Sequence, residues 1–495
     1  MSSDLRTFQY FAGNRWCDPQ NGEWFDSENP ATGEAWAKIP RCTEADVDAA
    51  VRAAHRCFSE GPWPKMNAAE RGRVLRRLGD TLITHADELG AVETTDNGKR
   101  TRDITPGLKT WLADSFTYYA GLADKMEGAV IPVDAPGMFN YTSHEPFGVC
   151  ALITAWNSPL LIAIWKLAPA LAAGNTVVIK PSEHASASTL ALMKAFQEAD
   201  LPDGLVNVVT GFGDEAGEPL VTHPLVRLVS FTGGVPGGRR VAAAASGQVK
   251  PVIMELGGKS PQIVFEDADI ELAVNGVASG IFPPAGQSCI AGSRALVHRS
   301  IHDEFVRRLV ECASSARLGA PDDPKTHIGP IANKPHYDRI LRDITAAKAE
   351  GAACVLDGSD AHPPGLDGWF VGPTIFTDVT PEMALAREEV FGPVLAVLPF
   401  DDEAHAVRLA NDTIYGLAAG IWTRNTTRAI RLADRIEAGT VYINNYFNAT
   451  TQSPVGGFKQ SGYGRENGIE GMKAFLQTKS VWLATDPSQP DPFAD

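Results

Sequence analysis

The segment that decides the fold begins at Val149, where residues 149–180 have the sequence VCALITAWNSPLLIAIWKLAPALAAGNTVVIK. Within it, a short apolar run at 149–153 precedes helical spacing at 159–173, and a second apolar run follows at 175–179. The alternation continues with a helix at 185–198, a strand at 206–209, a short helix near 214–221 and a strand at 226–231. Short buried strands that alternate with helices predict a doubly wound α/β domain. Its parallel sheet is covered on both faces, and ligands bind beyond the carboxyl ends of the strands.

A second alternation of strands and helices follows along the chain and predicts a second α/β lobe. Its apolar runs lie near 263 and at 295–297, 395–398, 420–422 and 441–443. Ahead of both lobes, helical spacing at 44–59 and 66–96 predicts that the N-terminal region begins helical. Two β-rich segments, 129–145 and 479–484, lie outside the lobes, and the tail at 487–495 is expected to be frayed.

The composition is that of an ordinary soluble globular protein, with 44% hydrophobic and 21% charged residues. A chain of 495 residues is too long for one hydrophobic core, so two or three domains are expected. The net charge of -16 disfavours nucleic acid and anionic membranes as partners. It does not exclude an anionic substrate, because a local pocket can oppose the overall sign.

Neither a secretory signal nor a membrane span is expected. Residues 1–10 lack a basic stretch followed by an apolar one. The longest uncharged, apolar-rich stretch runs from Pro146 to Trp165, and Asn157-Ser158-Pro159 interrupts it. This pattern predicts a strand, a turn and a helix in place of a membrane helix.

The seven cysteines indicate a reducing environment. They are scattered, odd in number and without Cys-x-x-Cys spacing, which argues against a disulfide framework and against a zinc site. We therefore predict a cytoplasmic protein without a metal site.

Cys289 differs from the other cysteines in its setting. It lies in a polar, turn-like segment, residues 285–294 with the sequence AGQSCIAGSR, just before the apolar run at 295–297. A thiol on such a loop is accessible to substrate and close to backbone N–H donors that lower its pKa, which favours a nucleophile. A lone cysteine is, however, more often a small buried hydrophobic residue.

Two further polar residues occupy the ends of predicted strands. Glu255 follows the apolar run at 251–254 and precedes paired glycines, a position where functional sites form, although a solvated or salt-bridged glutamate fits the same pattern. Asn157 lies in the turn after the strand at 149–153, where its amide can donate to a developing oxyanion. Asparagine is also common in turns for reasons of backbone geometry alone.

A glycine-rich turn and a charged pair are candidates for nucleotide binding. Residues 231–238, FTGGVPGG, follow a strand and precede a helix, so free N–H groups and the helix dipole can face a phosphate. The alternative at 211–217 has one residue too many for the G-x-G-x-x-G fingerprint. Lys180 and Glu183 follow a strand, where both can face one nucleotide. The glutamate would accept hydrogen bonds from ribose hydroxyls and repel a 2′-phosphate.

Taken in order, these motifs resemble the aldehyde dehydrogenase superfamily over nearly the whole chain, from about Gly22 to Leu483. The ELGGK and GQ-x-C motifs are highly specific to that superfamily. The matching segments are PFGV (146–149), TAWN (154–157), KPSE (180–183), FTGG (231–234), ELGGKSP (255–261), GQSC (286–289), EEVFGP (388–393) and SPVGGFK (453–459).

The resemblance implies a complete mechanism for oxidation of an aldehyde to a carboxylic acid. Cys289 attacks the aldehyde carbon as a thiolate, and the Asn157 side chain and the Cys289 backbone N–H hold the oxyanion of the thiohemiacetal. Hydride transfer to a nicotinamide leaves a thioester. A water molecule activated by Glu255 then hydrolyses the thioester.

The resemblance also implies NAD as the cofactor, with Glu183 favouring NAD over NADP. Trp156, Lys180 and Glu183 would surround the adenine ribose, and the turn at 233–234 would bind the pyrophosphate. Glu389 would hold the nicotinamide ribose, and Phe391 would pack near the ring. The complete set of predicted cofactor residues is Trp156, Lys180, Glu183, Gly213, Phe231, Gly233, Gly234, Leu256, Glu389 and Phe391.

The chain departs from its relatives in three places. Gly234 replaces a serine whose hydroxyl contacts phosphate, and Pro284-Ala285 replaces Asn-Gln, which would stiffen the loop that carries Cys289. Positions 158, 449 and 455, often aromatic in relatives, carry smaller side chains, so we predict a roomier pocket for a polar or functionalised aldehyde. The predicted substrate residues are Trp111, Ser158, Trp165, Ser288, Ile290, Phe447, Ala449 and Val455.

The resemblance implies three structural units and a homo-oligomer, either a dimer or a tetramer. The units are an NAD-binding domain (1–126 and 147–257), a catalytic domain (258–460) and an oligomerisation arm (127–146 and 474–495). Two alternatives stay open. One is a coenzyme A-acylating relative, against which the retained Glu255 argues. The other is a non-catalytic structural member, against which Cys289, Glu255 and Asn157 together argue.

Overall fold

The computed structural model describes residues 5–485 and 492–493. In chain order its strands are β1 (Arg6–Thr7), β2 (Tyr10–Ala12), β3 (Arg15–Cys17), β4 (Trp24–Asn29), β5 (Glu34–Pro40), β6 (Val130–Ile131), β7 (Met138–Pro146), β8 (Val149–Ile153), β9 (Thr176–Lys180), β10 (Val206–Val208), β11 (Val226–Thr232), β12 (Val252–Glu255), β13 (Pro261–Val264), β14 (Arg294–His298), β15 (Ala353–Leu356), β16 (Thr374–Thr377), β17 (Val394–Phe400), β18 (Tyr415–Gly416), β19 (Ala418–Trp422), β20 (Thr440–Ile443), β21 (Phe458–Lys459), β22 (Gly462–Tyr463) and β23 (Leu476–Ala484).

The helices cover the sheets and join their strands. They are α1 (Glu44–Ser59), α2 (Ala68–Thr84), α3 (Ala86–Asn97), α4 (Thr101–Lys109), α5 (Trp111–Leu122), α6 (Pro159–Ala172), α7 (Ala187–Gln197), α8 (Glu218–Thr222), α9 (Val235–Ser246), α10 (Ile270–Ser279), α11 (His302–Ser314), α12 (Lys334–Ala349), α13 (Ala384–Arg387), α14 (Glu403–Asn411), α15 (Thr426–Ala433) and α16 (Gly468–Lys473). Short 3₁₀ turns lie at Trp63–Lys65 and Arg299–Ile301, and a π-helical turn at Gly213–Gly217 precedes α8.

The first lobe contains the predicted doubly wound sheet. Its spatial order is β22-β12-β11-β8-β9-β10-β2-β3, in which β12, β11, β8, β9 and β10 run parallel. Alternate residues of β8 enter opposite cores. Cys150 and Leu152 pack with α2, α5, α6 and α7, whereas Val149, Ala151 and Ile153 pack with α1 and α8. Burial on both faces explains why this strand is a continuous apolar run.

The second lobe is also an α/β sheet, as predicted. Its order is β15-β16-β17-β14-β13-β19-β20, and only β15 is antiparallel to its neighbour. All five predicted strands are present, and β15 and β16 extend the sheet at one edge. The sequence analysis did not predict these two strands, which are only four residues long.

A third sheet, of order β23-β7-β6, consists of two long antiparallel strands and one short strand. Strands β7 and β23 pair from Pro146 with Leu476 to Met138 with Ala484. Large apolar side chains on this sheet face solvent: Val130, Phe139, Trp482 and Leu483. Residues 486–491 and 494–495 of the predicted arm lie outside the described residues, and the three domain boundaries stay a prediction.

The apolar stretch from Pro146 to Trp165 divides as predicted into β8, a turn and α6. Pro159 occupies the first turn of α6, where its fixed φ fits and its missing N–H costs little. Gly174 follows the helix with φ of 98°, a conformation that glycine adopts without strain. Among the residues that the structure describes, no helix is long and apolar enough to span a membrane.

The helices predicted at 44–59 and 66–96 are present, but the expectation that the N-terminal region begins helical was wrong. Strands β1 to β5 precede α1, and the predicted helix at 66–96 divides at His85 into α2 and α3. The strands are two to seven residues long and are separated by turns in which Gly13, Gly22 and Gly33 have positive φ. The first three strands are too short for a periodic pattern, and β4 and β5 lack a strict alternation of apolar and polar residues.

Candidate active site

A cleft lies beyond the carboxyl ends of β8, β9 and β11, where a doubly wound sheet binds its ligands. It brings together seven of the ten predicted cofactor residues. These are Trp156, Lys180, Glu183, Gly213, Phe231, Gly233 and Gly234. The other wall of the cleft consists of Val221 from α8 and Val241 and Ala244 from α9, so a narrow apolar slot adjoins the polar strand ends.

The charged pair of the cleft is arranged by the end of β9. The Lys180 ammonium is buried, donates to the Pro181 carbonyl at 3.0 Å and lies 3.9 Å from the Glu183 carboxylate. Burial lowers the pKa of Lys180, and the Glu183 charge opposes that change. Glu183 is only partly buried, so its carboxylate is available to hydroxyl donors.

The glycine-rich turn before α9 has little room for a side chain at one position. A Cβ on Gly233 would lie 2.6 Å from the far end of the Phe231 ring, so a side chain there would require that ring to move. Gly234 is the N-cap of α9, with φ of -73°, and its Cβ would meet nothing closer than Pro236 at 3.7 Å. The backbone and the surrounding space at Gly234 would therefore accept a serine.

Asn157, the predicted oxyanion donor, contacts the loop that carries Cys289. The Asn157 Nδ2 atom donates to the Gln287 carbonyl at 3.1 Å. The Gln287 side chain is itself fixed, since it donates to the Pro330 carbonyl and accepts from the Ala332 N–H. Ala285 adopts a left-handed backbone conformation with φ of 52°, so the turn just before Gln287 is conformationally constrained.

The Cys289 thiol is the one feature of this loop that differs from expectation. Burial raises its pKa to about 12, and the Glu255 and Glu389 carboxylates add to the rise. The backbone N–H of Ile290 acts in the opposite direction but is the smaller effect. The expectation that the loop lowers the thiol pKa was wrong for the protein alone, because burial outweighs the backbone donors.

Glu255 ends β12 and is buried, with no hydrogen-bond partner for Oε1 within the described part of the chain. Burial raises the pKa of Glu255 well above its usual value, and the charge of Glu466 raises it further. The cations Lys166 and Arg465 lower it. A carboxyl whose pKa is raised in this way can take a proton near neutral pH, as a general base must.

Lys166 and Glu466 form a buried ion pair beside Glu255. The Lys166 ammonium bonds the Glu466 carboxylate and donates to Ser230 Oγ at 2.8 Å. Glu466 is fixed by paired backbone hydrogen bonds with Val455, of 2.7 and 2.8 Å. The predicted substrate residue Val455 therefore lies on the strand-like segment that positions this carboxylate.

The segment that carries Glu389 and Phe391 does not line the nucleotide cleft but borders it through Trp156. The ring centroids of Phe391 and Trp156 are 5.4 Å apart. The Gly258 N–H donates to Glu389 Oε1 at 2.8 Å, and burial raises the pKa of Glu389 to about 7. Leu256, the remaining predicted cofactor residue, packs in a small cluster with Val235.

Two residues of α12 hold the Glu389–Phe391 segment through its backbone. Arg339 donates to the Glu389 carbonyl at 2.7 Å, and His336 Nε2 donates to the Phe391 carbonyl at 2.8 Å. Phe391 has φ of 58°, a strained conformation for a residue with a bulky side chain. The His336 ring also lies 5.0 Å from Trp156, so it joins the two lobes.

The predicted substrate residues fall into two contacting groups. Trp111 and Trp165 meet edge to face with centroids 6.2 Å apart. Ile290 follows Ser288 and Cys289 on the catalytic loop, and its carbonyl accepts from Tyr446, whose ring lies 5.8 Å from Phe447. A hydrogen bond of 2.8 Å between Ser115 on α5 and Thr451 connects the helix of Trp111 with the loop that carries Ala449.

Sequence similarity agrees with this arrangement. Residues 16–481 match the family model described as the aldehyde dehydrogenase family. The chain belongs to this family. A betaine aldehyde dehydrogenase of Brucella anthropi is 44% identical over 475 residues, 96% of each chain. An aldehyde dehydrogenase of Emericella nidulans is 44% identical over 475 residues, 95% of this chain and 94% of that one.

Solved structures of aldehyde dehydrogenases have the same fold. The betaine aldehyde dehydrogenase of Staphylococcus aureus in complex with NAD+ gives a TM-score of 0.96 at 38% identity, covering 98% of this chain and 97% of that one. The NAD+ complex of a Bacillus cereus aldehyde dehydrogenase gives a TM-score of 0.94 at 41% identity, covering 97% of each.

Four residues of this aldehyde dehydrogenase site, Lys166, Glu466, His336 and Arg339, were missed by the sequence analysis. Lys166 could have been predicted, because it is the sole charged residue of the apolar helix α6. A buried ammonium requires a polar partner. The other three lie in ordinary polar segments, and nothing in their local sequence indicates what they contact.

Proposed function

We propose that the chain is an NAD-dependent aldehyde dehydrogenase that forms a thioester on Cys289 and hydrolyses it with water. The observation that carries this proposal is the contact between Asn157 and the loop of Cys289, with the buried Glu255 close enough to perturb the thiol. A nucleophile, an oxyanion donor and a base thus lie close together where the first lobe contacts the loop of Cys289.

The residues of the cleft fit NAD, which supplies the hydride acceptor when it is bound. Glu183 and Lys180 at the end of β9 match a ribose, and the α9 N-terminus with its two glycines suits a pyrophosphate. The Glu389 carboxylate, oriented by the Gly258 N–H, would accept from a second ribose. The negative charge of Glu183 disfavours a 2′-phosphate, which supports NAD over NADP.

In the first half of the reaction, Cys289 loses its proton and its sulfur bonds the aldehyde carbon. Glu255 is the base that takes the proton, since its charge already raises the thiol pKa and the two groups compete for one proton. The developing oxyanion accepts from the Asn157 amide and from the backbone N–H of Cys289. Loss of hydride from the same carbon leaves the acyl group as a thioester.

In the second half, Glu255, which has passed the thiol proton to solvent, takes a proton from water, whose oxygen attacks the thioester carbon. The carbon–sulfur bond breaks, the acid leaves, and Cys289 is restored. Lys166 and Glu466 bias this step through charge, because they lower and raise the Glu255 pKa respectively. A buried Glu255 in position to activate water argues against release by coenzyme A, and the coenzyme A-acylating alternative is not supported.

The substrate is a polar or functionalised aldehyde. Ser158, Ala449 and Val455 occupy positions that carry aromatic side chains in many relatives, and Trp111 and Trp165 remain as an apolar wall. Relatives named for betaine aldehyde support a preference for polar substrates.

The protein acts as a homo-oligomer in a reducing cytoplasm. The exposed apolar residues of β6, β7 and β23 favour burial against a second copy of the same sheet. All seven cysteines are free, which agrees with a reducing compartment. Sedimentation analysis of the purified protein would measure the number of subunits.

The test is formation of NADH from NAD with a panel of aldehydes, with the acid product identified by mass spectrometry. Cys289→Ala should abolish turnover, whereas the replacement Cys354→Ala on β15 serves as the matched control. A product that forms only when coenzyme A is added, or a Cys289→Ala variant that retains full activity, would disprove the mechanism.

A further inference from the structure

Lys99 places an ammonium beside the oxyanion residue. It follows Gly98, which ends α3 with φ of 76°, so the chain turns sharply toward the loop between β8 and α6. The Lys99 Nζ atom donates to Ser158 Oγ and lies 3.4 Å from the Asn157 carbonyl oxygen. Its own backbone is held by the Asn97 side chain, which also donates to the Trp156 carbonyl.

The charge of Lys99 is not neutralised by a direct ion pair. Among the described residues, no carboxylate lies within 4.0 Å of its nitrogen. Glu93 is the nearest opposing influence, but one of its oxygens accepts from the Leu160 N–H at 3.0 Å. Burial lowers the pKa of Lys99, as expected for an ammonium that has lost water without gaining an anion.

A hydrogen-bond count leaves one donor of Lys99 available. An ammonium has three N–H groups, and Ser158 and the Asn157 carbonyl account for two of them. Lys99 and Ser158 are both only partly buried, so this end of the lysine is reachable. A substrate anion would satisfy the third donor and balance the charge.

The free donor of Lys99 lies close in space to the predicted oxyanion residue. Ser158 adjoins Asn157, whose amide contacts the loop of Cys289. Ser158 is also the N-cap of α6, and Trp165 lies seven residues later on the same side of that helix. Because Ser158 is small, its side chain covers little of the Lys99 ammonium on the side of α6 that carries Trp165.

We propose that Lys99 and Ser158 bind an anionic group of the substrate, so that the preferred aldehydes carry a carboxylate a short chain away from the carbonyl. The inference rests on the proposed function and names its substrate class. It predicts that a quaternary ammonium group, such as that of betaine aldehyde, is disfavoured here, because it would meet the positive charge of Lys99.

The experiment compares three aldehydes with the full-length protein and NAD. They are 4-oxobutanoate, its uncharged methyl ester and betaine aldehyde. We expect kcat/KM for 4-oxobutanoate to exceed that for the ester by about 10- to 100-fold, the range of a hydrogen bond to a charged group. Betaine aldehyde should be the poorest of the three.

The variants then assign the preference to Lys99. Lys99→Met should lower the ratio of kcat/KM for the anion to that for the ester by about 10-fold or more, and Lys99→Arg should retain most of it. Ser158→Ala tests the hydroxyl without altering the charge. Lys109→Met, at an exposed lysine of α4 paired with Asp87, is the matched control and should leave the ratio unchanged.

Failure of this inference and failure of the proposed function are distinguishable. If neither these three aldehydes nor the wider panel of aldehydes gives NADH, the proposed function fails. If the protein oxidises the neutral ester as well as the anion, or if Lys99→Met leaves the ratio unchanged, only the assignment of Lys99 is overturned. A Lys99→Met variant that does not fold is replaced by Ser158→Phe, which should block the ammonium and lower the same ratio.

Discussion

The Asn157 side-chain amide donates a 3.1 Å hydrogen bond to the Gln287 carbonyl oxygen, two residues before Cys289. This bond joins the turn after β8 in the first lobe to the catalytic loop of the second. An amide nitrogen has two N–H groups, so one donor of Asn157 anchors the loop and the other can serve a developing oxyanion. One side chain thus contacts the loop of Cys289 and can also donate to the oxygen of the substrate on which negative charge develops.

Replacing Asn157 with alanine should lower kcat/KM for the aldehyde by about 10²- to 10³-fold, the usual cost of an oxyanion donor. Affinity for NAD, measured by quenching of tryptophan fluorescence, should change little because Asn157 does not line the nucleotide cleft. Asn157→Asp keeps the shape but not the donor and should be similarly impaired. An Asn157→Ala enzyme with near-normal turnover would exclude the role.

The doubly wound lobe was predictable because its strands are buried on both faces and appear as unbroken apolar runs in β8 and β9. The catalytic candidates were predictable because their motifs are local in sequence. The Lys166–Glu466 pair was not, since its members are 300 residues apart and meet only in the fold. The strands before α1 were missed because β1 to β3 have only two or three residues and the longer β4 and β5 do not alternate apolar with polar residues.

The Cys289 thiol should react slowly with iodoacetamide at neutral pH in the absence of NAD. Its pKa of about 12 leaves little thiolate, so the alkylation rate should rise about tenfold for each pH unit between about 7 and 10. Peptide mass spectrometry separates Cys289 from the other three partly exposed cysteines, Cys17, Cys312 and Cys354. A rate that levels off below about pH 8 would show that burial does not dominate this thiol.

Glu466→Gln should shift the acidic limb of the kcat profile to lower pH. Glu255 must be ionised to act as a base, and the negative charge of Glu466 raises its pKa. Removing that charge, while Lys166 stays, lowers the pKa of Glu255 and keeps the base active at lower pH. The profile is recorded after confirming a burst of NADH, so that thioester hydrolysis limits turnover.

The matched control for Glu466 is Glu470→Gln, at an exposed residue of α16 that pairs with Lys473. Its kcat profile should coincide with that of the unmodified enzyme. A shift of the Glu466→Gln profile toward higher pH would contradict the proposed electrostatic coupling, because no loss of negative charge beside Glu255 can raise the pKa of that carboxyl.

Gly234→Ser should increase affinity for NAD. The backbone at Gly234 has φ of -73° and ψ of 155°, which serine adopts freely, and the nearest atom to a new Cβ is 3.7 Å away. A serine hydroxyl at this N-cap adds one donor toward a pyrophosphate, so the dissociation constant should fall about two- to tenfold. Calorimetric titration measures this dissociation constant. The control is Gly121→Ser, at a position where a new Cβ would contact nothing within 4 Å.

His336 should matter for NAD binding through the backbone of Phe391. Its Nε2 donates to the Phe391 carbonyl and holds that residue in a strained conformation, beside Glu389. His336→Phe keeps an aromatic ring against Trp156 but loses the donor, so KM for NAD should rise about three- to tenfold with a smaller change in kcat. His336→Gln retains a donor and should restore much of the affinity.

The ionisation of His336 separates this positioning role from a charge effect. Burial lowers its pKa to about 4, so the ring is neutral at ordinary pH and its Nε2–H donates to the Phe391 carbonyl across that range. The rise in KM of His336→Phe should therefore be the same at about pH 6 and pH 9. A rise confined to the acidic side would indicate that a protonated imidazole, and not the hydrogen bond to Phe391, acts on NAD.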